Sequence, residues 1–285
     1  GKLDDLAASD GKLNAVFELD SRNQKAARLW LENRVLNALM GPGEAPGIDA
    51  AIHRARSVEV PEEQLAFGQV ASFMAEGDLA GAAALLSKWD KKVAQDPMYQ
   101  LTAGAALDLA GDNRAFERYQ AAVKLDPDLI PAQVFLSTLA LIELGPERAK
   151  PVVDEALKRL DDRPSGKALV ALRWVAEGAE GDLPAKAKLS EEEREKLPAS
   201  LRSIPLLVDS LTSQDPKDSR EKLKNAIGIS RGPAIATWLG FVAVRNGDEE
   251  LSRKAALRAL KFSAIYPRAR ALAARVALLG GRLDE

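Results

Sequence analysis

The sequence predicts an all-α protein, a solenoid of antiparallel helix pairs with a 34-residue period. Two observations carry that reading. Gly43, Gly77, Gly111 and Gly145 stand 34 residues apart, and the same grid reaches Gly247 and Gly281. Self-similarity at this period is the mark of stacked helical hairpins. The 285-residue chain is also 46% hydrophobic but only 5% aromatic, and rich in alanine. Small side chains let helices approach closely. Length sets no limit on such a stack, because each repeat packs mainly on its neighbours.

Residues 1–20 fall outside the grid. Leu13, Val16, Phe17 and Leu19 are spaced to form an apolar cap over the first repeat, so this stretch reads as a cap or linker. Residues 21–180 carry the regular repeats, most clearly between Pro97 and Pro127. A first helix is predicted from about Met98 to Ala110. Gly104 lies inside it, where glycine costs about 1 kcal/mol of helix propensity and is tolerable if a neighbouring helix packs closely. Gly111-Asp112 forms the turn, glycine ending one helix and aspartate capping the next. A second helix runs from about Asn113 to Leu125, with Ala115, Tyr119, Ala122 and Val123 on one apolar stripe. Asp126-Pro127 stops it. The next helix, Ile130 to Leu144, is apolar on every side and so must be covered on every side, or leave an open hydrophobic groove.

The grid misses twice, at Ala179 and Ser213, with Gly181 and Asp215 standing two residues late. Residues 181–232 therefore read as an irregular or degenerate repeat. Ser190 and Glu193 form a capping-box pattern for a short exposed helix. Pro198 to Leu211 and Ser219 to Ile229 read as a degenerate helix pair. This stretch is either an ordinary degenerate repeat or a bend that opens a binding cleft. Residues 233–285 return to the grid and end in a turn, Gly281 to Glu285, with no second helix. That end and Gly1 at the other predict one continuous solenoid belonging to a longer protein.

The unit resembles a tetratricopeptide repeat. Gly104, Gly111, Ala115, Tyr119, Ala122 and Pro127 fall in that family's small, turn, small, aromatic, alanine and closing-proline places. Gly77-Asp78 with Ala82, Gly145 with Ala149, Val153 and Ala156, and Leu239-Gly240 with Gly247-Asp248 match in part. The resemblance covers roughly Ser21 to the end. It implies a right-handed α-solenoid and a scaffold or adaptor that binds proteins. It also implies settings such as bacterial envelope, secretion or motility assemblies. The alanine- and arginine-rich composition points to a bacterial source, in cytoplasm or periplasm.

Chemistry is sparse. A net charge of −2 argues against general nucleic-acid binding, which needs cationic surface to displace counterions. The absence of cysteine removes disulfides, thiolate metal sites and thiol nucleophiles. The single histidine, His53, has no ligand set or triad around it in the sequence. No phosphate loop or zinc helix is present. No apolar run reaches membrane-span length, though peripheral membrane contact stays open. No enzyme activity, cofactor or metal is predicted.

Two surfaces are candidates for a partner. In the resembling family the first helix of each pair lines the concave face. The matching positions here hold Phe67 and Ala71, Leu101 and Ala105, Phe135 and Leu139, and Thr237 and Phe241, which suits an apolar segment. Asn33 and Asn37 stand alone without the Lys and Arg of a carboxylate clamp, so that mode is rejected. The second surface is a basic run between Leu251 and Leu283, which holds no acidic residue. Arg258, Lys261, Arg268 and Arg270 belong to it. It is a solvated face, or a dock for an acidic partner or anionic headgroups. The leading function is a non-catalytic interaction scaffold. The alternatives are a regulatory arm of a larger enzyme and a solenoid enclosing a small ligand.

Overall fold

The computed structural model describes residues 6–40, 47–160, 163–179, 181–197, 201–264 and 266–279. Among them every regular element is helical. In order these are α1 (Leu6–Leu19), α2 (Gln24–Met40), α3 (Ile48–Ser57), α4 (Glu62–Glu76), α5 (Leu79–Trp89), α6 (Pro97–Ala110), α7 (Arg114–Leu125) and α8 (Ile130–Leu144). They continue with α9 (Pro146–Leu160), α10 (Pro164–Ala176), α11 (Glu191–Glu195), α12 (Ser203–Thr212), α13 (Pro216–Ile229), α14 (Pro233–Arg245), α15 (Glu249–Phe262) and α16 (Pro267–Leu279). A short 3-10 turn, Ala185–Ala187, lies between α10 and α11. Gly43 and the turn Gly281 to Glu285 lie outside the described residues.

The Gly-Asp pairs make the turns that their chemistry predicts. Gly77 has φ +78°, and its N–H donates to Met74 O while Asp78 N–H donates to Phe73 O. The Asp78 carboxylate then accepts from Gly81 N–H at 2.8 Å, capping α5. Gly247-Asp248 repeats every part of this, with Asp248 accepting from Leu251 N–H at 3.0 Å. Where the grid misses, the same bonds appear one residue early. Gly178 N–H donates to Val175 O and Ala179 N–H to Trp174 O. The glycine that turns the chain is thus Gly178, not Gly181, and Ala179 is left at φ +55°. At the second miss α12 ends on an extended Ser213, and Asp215 caps α13 through Lys217 N–H.

The chain divides into two compact units. The first comprises residues 1–107 and 114–133. Here α2 packs on α3 and on α4, α3 on α4, and α4 on α5. Contact with both the next helix and the next but one is how a stack of hairpins buries a continuous core. Leu31, Leu65, Phe67, Tyr99, Leu101 and Tyr119 are fully buried in it. Gly104 is explained by its neighbour, because a Cβ there would stand 2.6 Å from the Tyr119 ring. Tyr99 Oη donates to Asp90 at 2.7 Å, and Arg118 donates to the other oxygen of the same carboxylate at 2.6 Å. At the N-terminal end Leu13 is buried, and Phe17 meets Trp30 edge-on at 6.1 Å between centroids. Leu19 departs from the expected cap. It is the last residue of α1 and is 90% exposed.

The second unit comprises residues 108–113 and 134–285. In it α9 packs on α10, α10 on α12, and α12 on α13; α13 then packs on α14 and α15, and α14 on α15 and α16. The start of α16 returns to the end of α8. Arg268 donates to Ile142 O at 2.7 Å and to Glu143 O at 2.9 Å, satisfying carbonyls that α8 leaves open at its C-terminus. Tyr266 Oη donates to Glu143 Oε1 at 2.7 Å. Gly111 lies against Tyr266, where a Cβ would come within 2.6 Å of the ring.

Candidate functional site

The nominated concave residues are mostly core. Phe67 and Leu101 have no exposed surface, and Leu139, Ala71, Ala105 and Thr237 are buried as well. Phe241 is half-buried against Ala256, Leu272 and Val276. The apolar helix α8 is covered over most of its described surface. Val134, Leu136, Leu141 and Ile142 are buried, Phe135 is half-buried, and Leu144 at the end is exposed. Neighbouring helices close over the positions that the pattern marks as inner. Sequence spacing gives the face of a helix but not what lies on it.

The basic run has also been put to structural use. Arg258 donates to Ser230 O at 2.8 Å and to Ser230 Oγ at 3.1 Å, at the end of α13, and lies over the Phe262 ring. Arg268 holds the end of α8, and Arg270 donates to Ala264 O at 2.8 Å. Three of the four nominated cations therefore serve backbone carbonyls, the groups that helix C-termini leave without partners. Lys261 is exposed.

Among the described residues, a concave surface lies in the second unit, beside the short helix α11. The loop after α10, the helix α11 and the face of α12 enclose a hollow of about 270 Å³. Its walls are Ala171, Leu183, Ala187, Leu189, Pro205 and Val208, with Lys188, Arg194 and Asp209 at the polar side. Leu183 and Leu189 are half-buried, which leaves aliphatic surface open. A second, more open hollow of about 480 Å³ lies beyond Arg194 and Pro205, which line both. Glu191, Glu195, Arg202 and Leu206 line its other sides. The two hollows adjoin at Arg194 and Pro205, and each combines aliphatic wall with charged side chains.

The walls of this groove are tied in place. Helix α11 has five residues and no buried side chain, too short to stand by itself. Its N-terminus is closed by the expected capping box, with Glu193 N–H donating to Ser190 Oγ and Ser190 N–H to Glu193 Oε2. Lys167 of α10 reaches Glu193 at 2.6 Å. That ammonium, with Ser190 N–H, holds the Glu193 carboxyl below its ordinary pKa. Arg194 grips Asp209 of α12 with two bonds of 2.5 and 3.0 Å, and its guanidinium pKa is raised by that carboxylate. Arg202 donates to Leu197 O at 2.9 Å and to Glu195 O at 3.3 Å. Paired, two-point arginine contacts fix geometry as well as charge. Sequence reasoning flagged the irregular stretch and its capping box. It could not see Asp209 or Lys167, whose partners are distant in the chain.

Comparison with known proteins places the architecture. The chain superposes on a chain in the crystal structure of the APC/C hetero-tetramer Cut9–Hcn1, a tetratricopeptide-repeat assembly, with a TM-score of 0.58 and 13% identity. The fold is that of a tetratricopeptide-like helical repeat. The match covers 93% of this chain and 51% of the other, so this chain spans about half the length of its structural neighbour. No family model matches the sequence, and no curated protein matches it. The tetratricopeptide-like resemblance is therefore carried by three-dimensional stacking and by the turn chemistry. Among the described residues no helix is long and apolar enough to cross a membrane.

Proposed function

We propose that this chain is a non-catalytic scaffold that holds a segment of another protein. The observation that supports it most is the groove bounded by α10, α11 and α12. Its walls are fixed by side-chain anchors before any partner arrives. Preformed geometry lowers the ordering cost of binding. The tetratricopeptide-like fold adds support, since its structural neighbour was crystallised as a hetero-tetramer. Fold alone does not assign function, so the test is direct. A photo-crosslinking residue is placed at Leu189, at Leu206 and at the exposed Leu257 in the full chain, and adducts are collected from the native cell. One reproducible protein adduct from the groove positions is expected. No reproducible adduct from any of the three overturns the scaffold reading.

A further inference from the structure

Helix α11 lies on the second unit without entering its core. The chain is anchored on both sides of it, by Ala187 and by Leu197, both buried. Residues 188–196, between these anchors, contain no buried side chain. Two ion pairs tie the stretch to the helices it packs against. Glu193 meets Lys167 of α10 at 2.6 Å, and Arg194 meets Asp209 of α12 at 2.5 Å. Each of these four side chains keeps between 23% and 28% of its surface exposed, so water and salt reach both pairs. Arg202 adds bonds to Glu195 O and Leu197 O. The capping box and the Lys196–Glu192 pair are internal to the stretch and move with it. Lys188, Leu189 and Arg194 form one side of a hollow whose other side is Ala171 of α10 with Pro205 and Val208 of α12. Those last three are buried.

We infer that residues 188–196 are a charge-latched strap, which opens as a unit while α10 and α12 stay folded and so uncovers Ala171, Pro205 and Val208. A segment without buried side chains loses little on opening beyond its charge contacts. Part-exposed ion pairs are individually weak and weaken further as salt rises. The closed form is the resting state, and opening is a brief local excursion from it. The strap goes beyond the scaffold reading, because it concerns how the aliphatic face is reached and not what the face holds.

The absence of cysteine from the sequence makes a thiol a clean reporter. Val208→Cys places one on the face beside the strap. Leu207→Cys places one in the fully buried side of α12, where only wider unfolding exposes it. Each is introduced into the whole chain, and its alkylation rate is measured at low and at high sodium chloride. High salt should speed alkylation at position 208 about tenfold, as expected for two part-exposed pairs, and leave position 207 slow. Lys167→Met combined with Asp209→Asn should produce the same rise at low salt and remove the salt response. Equal acceleration at both positions would mean that α12 unfolds with the stretch, and would overturn the strap. Unchanged alkylation at position 208 in high salt and in the double variant would also overturn it, because the pairs would then latch nothing. Neither result bears on the crosslinking test of the scaffold reading.

Discussion

Ala179 holds φ +55°, a conformation that costs a residue with a Cβ roughly 1–2 kcal/mol. Gly178 before it is already at φ +111°, whereas Asp78 and Asp248, at the matching place of the regular turns, have φ of −83° and −93°. Ala179→Gly should therefore stabilise the protein. Part of the gain is offset by the greater freedom of glycine in the unfolded chain, so the net effect is about 0.5–1 kcal/mol. Calorimetry should show a rise in Tm of a few degrees; a fall would mean that the alanine methyl makes a contact worth more than the strain. The arginines teach the complementary lesson. In the sequence Arg258, Arg268 and Arg270 are simply part of a basic run. In the fold each is matched to a carbonyl that a helix end or turn exposes. Backbone acceptors leave no trace in residue identity, so the charge was legible and its use was not.

At the scale of elements the sequence was most readable where local chemistry is complete. The helix predicted from Ile130 to Leu144 has those limits in the structure, and the capping box at Ser190 and Glu193 is formed. The helix expected to begin at Pro198 begins at Ser203, while 198–200 lie outside the described residues. Of the concave-face residues, Phe67, Leu101 and Leu139 are buried while Phe135 and Phe241 keep part of their surface, a distinction that a stripe pattern cannot report because burial depends on what packs against the stripe. Between elements, Arg220 of α13 reaches Asp248 and Glu250 at the start of α15, each at 2.6 Å, and Lys254 reaches Glu250 as well. Lys254 first, and then Arg220, lower the Glu250 pKa from 4.5 to about 2. A depressed carboxyl pKa adds stability above the unfolded value of 4.5, and that stability is lost as pH falls toward 2. Melts recorded between pH 5 and pH 2.5 should fall less steeply for Glu250→Gln than for the parent chain. The difference should shrink at high salt, since the cluster is exposed. Parallel curves at low salt would show that the staple contributes nothing.

At the scale of the whole molecule, several turns of the stack were visible in its glycines, but the return of α16 to α8 was not. Residues 123 to 126 apart in sequence meet there, and no local pattern announces such a contact. Burial first, and then the hydrogen bond to Glu143, push the Tyr266 pKa above its ordinary value of 10.0. A raised tyrosine pKa means stability that is complete below pH 10 and lost as pH rises beyond it. Tyr266→Phe should accordingly flatten the alkaline limb of the stability curve above pH 10. Arg268→Ala should leave hydrogen exchange slow in the α12–α13 pair and speed it in α16, by about tenfold or more, as loss of a charged hydrogen bond predicts. Uniform acceleration through the second unit would mean that closure supports every helix between, while unchanged exchange in α16 would mean that packing on α14 and α15 is sufficient.

A linear stack can gain or lose a hairpin and keep every remaining interface intact. Between α8 and α16 that freedom is gone. Arg268 finds the carbonyls of Ile142 and Glu143 only if the helices between them advance the chain by one fixed amount. Insertion or deletion of a repeat in this stretch would move one partner away from the other and cost the second unit this closing contact.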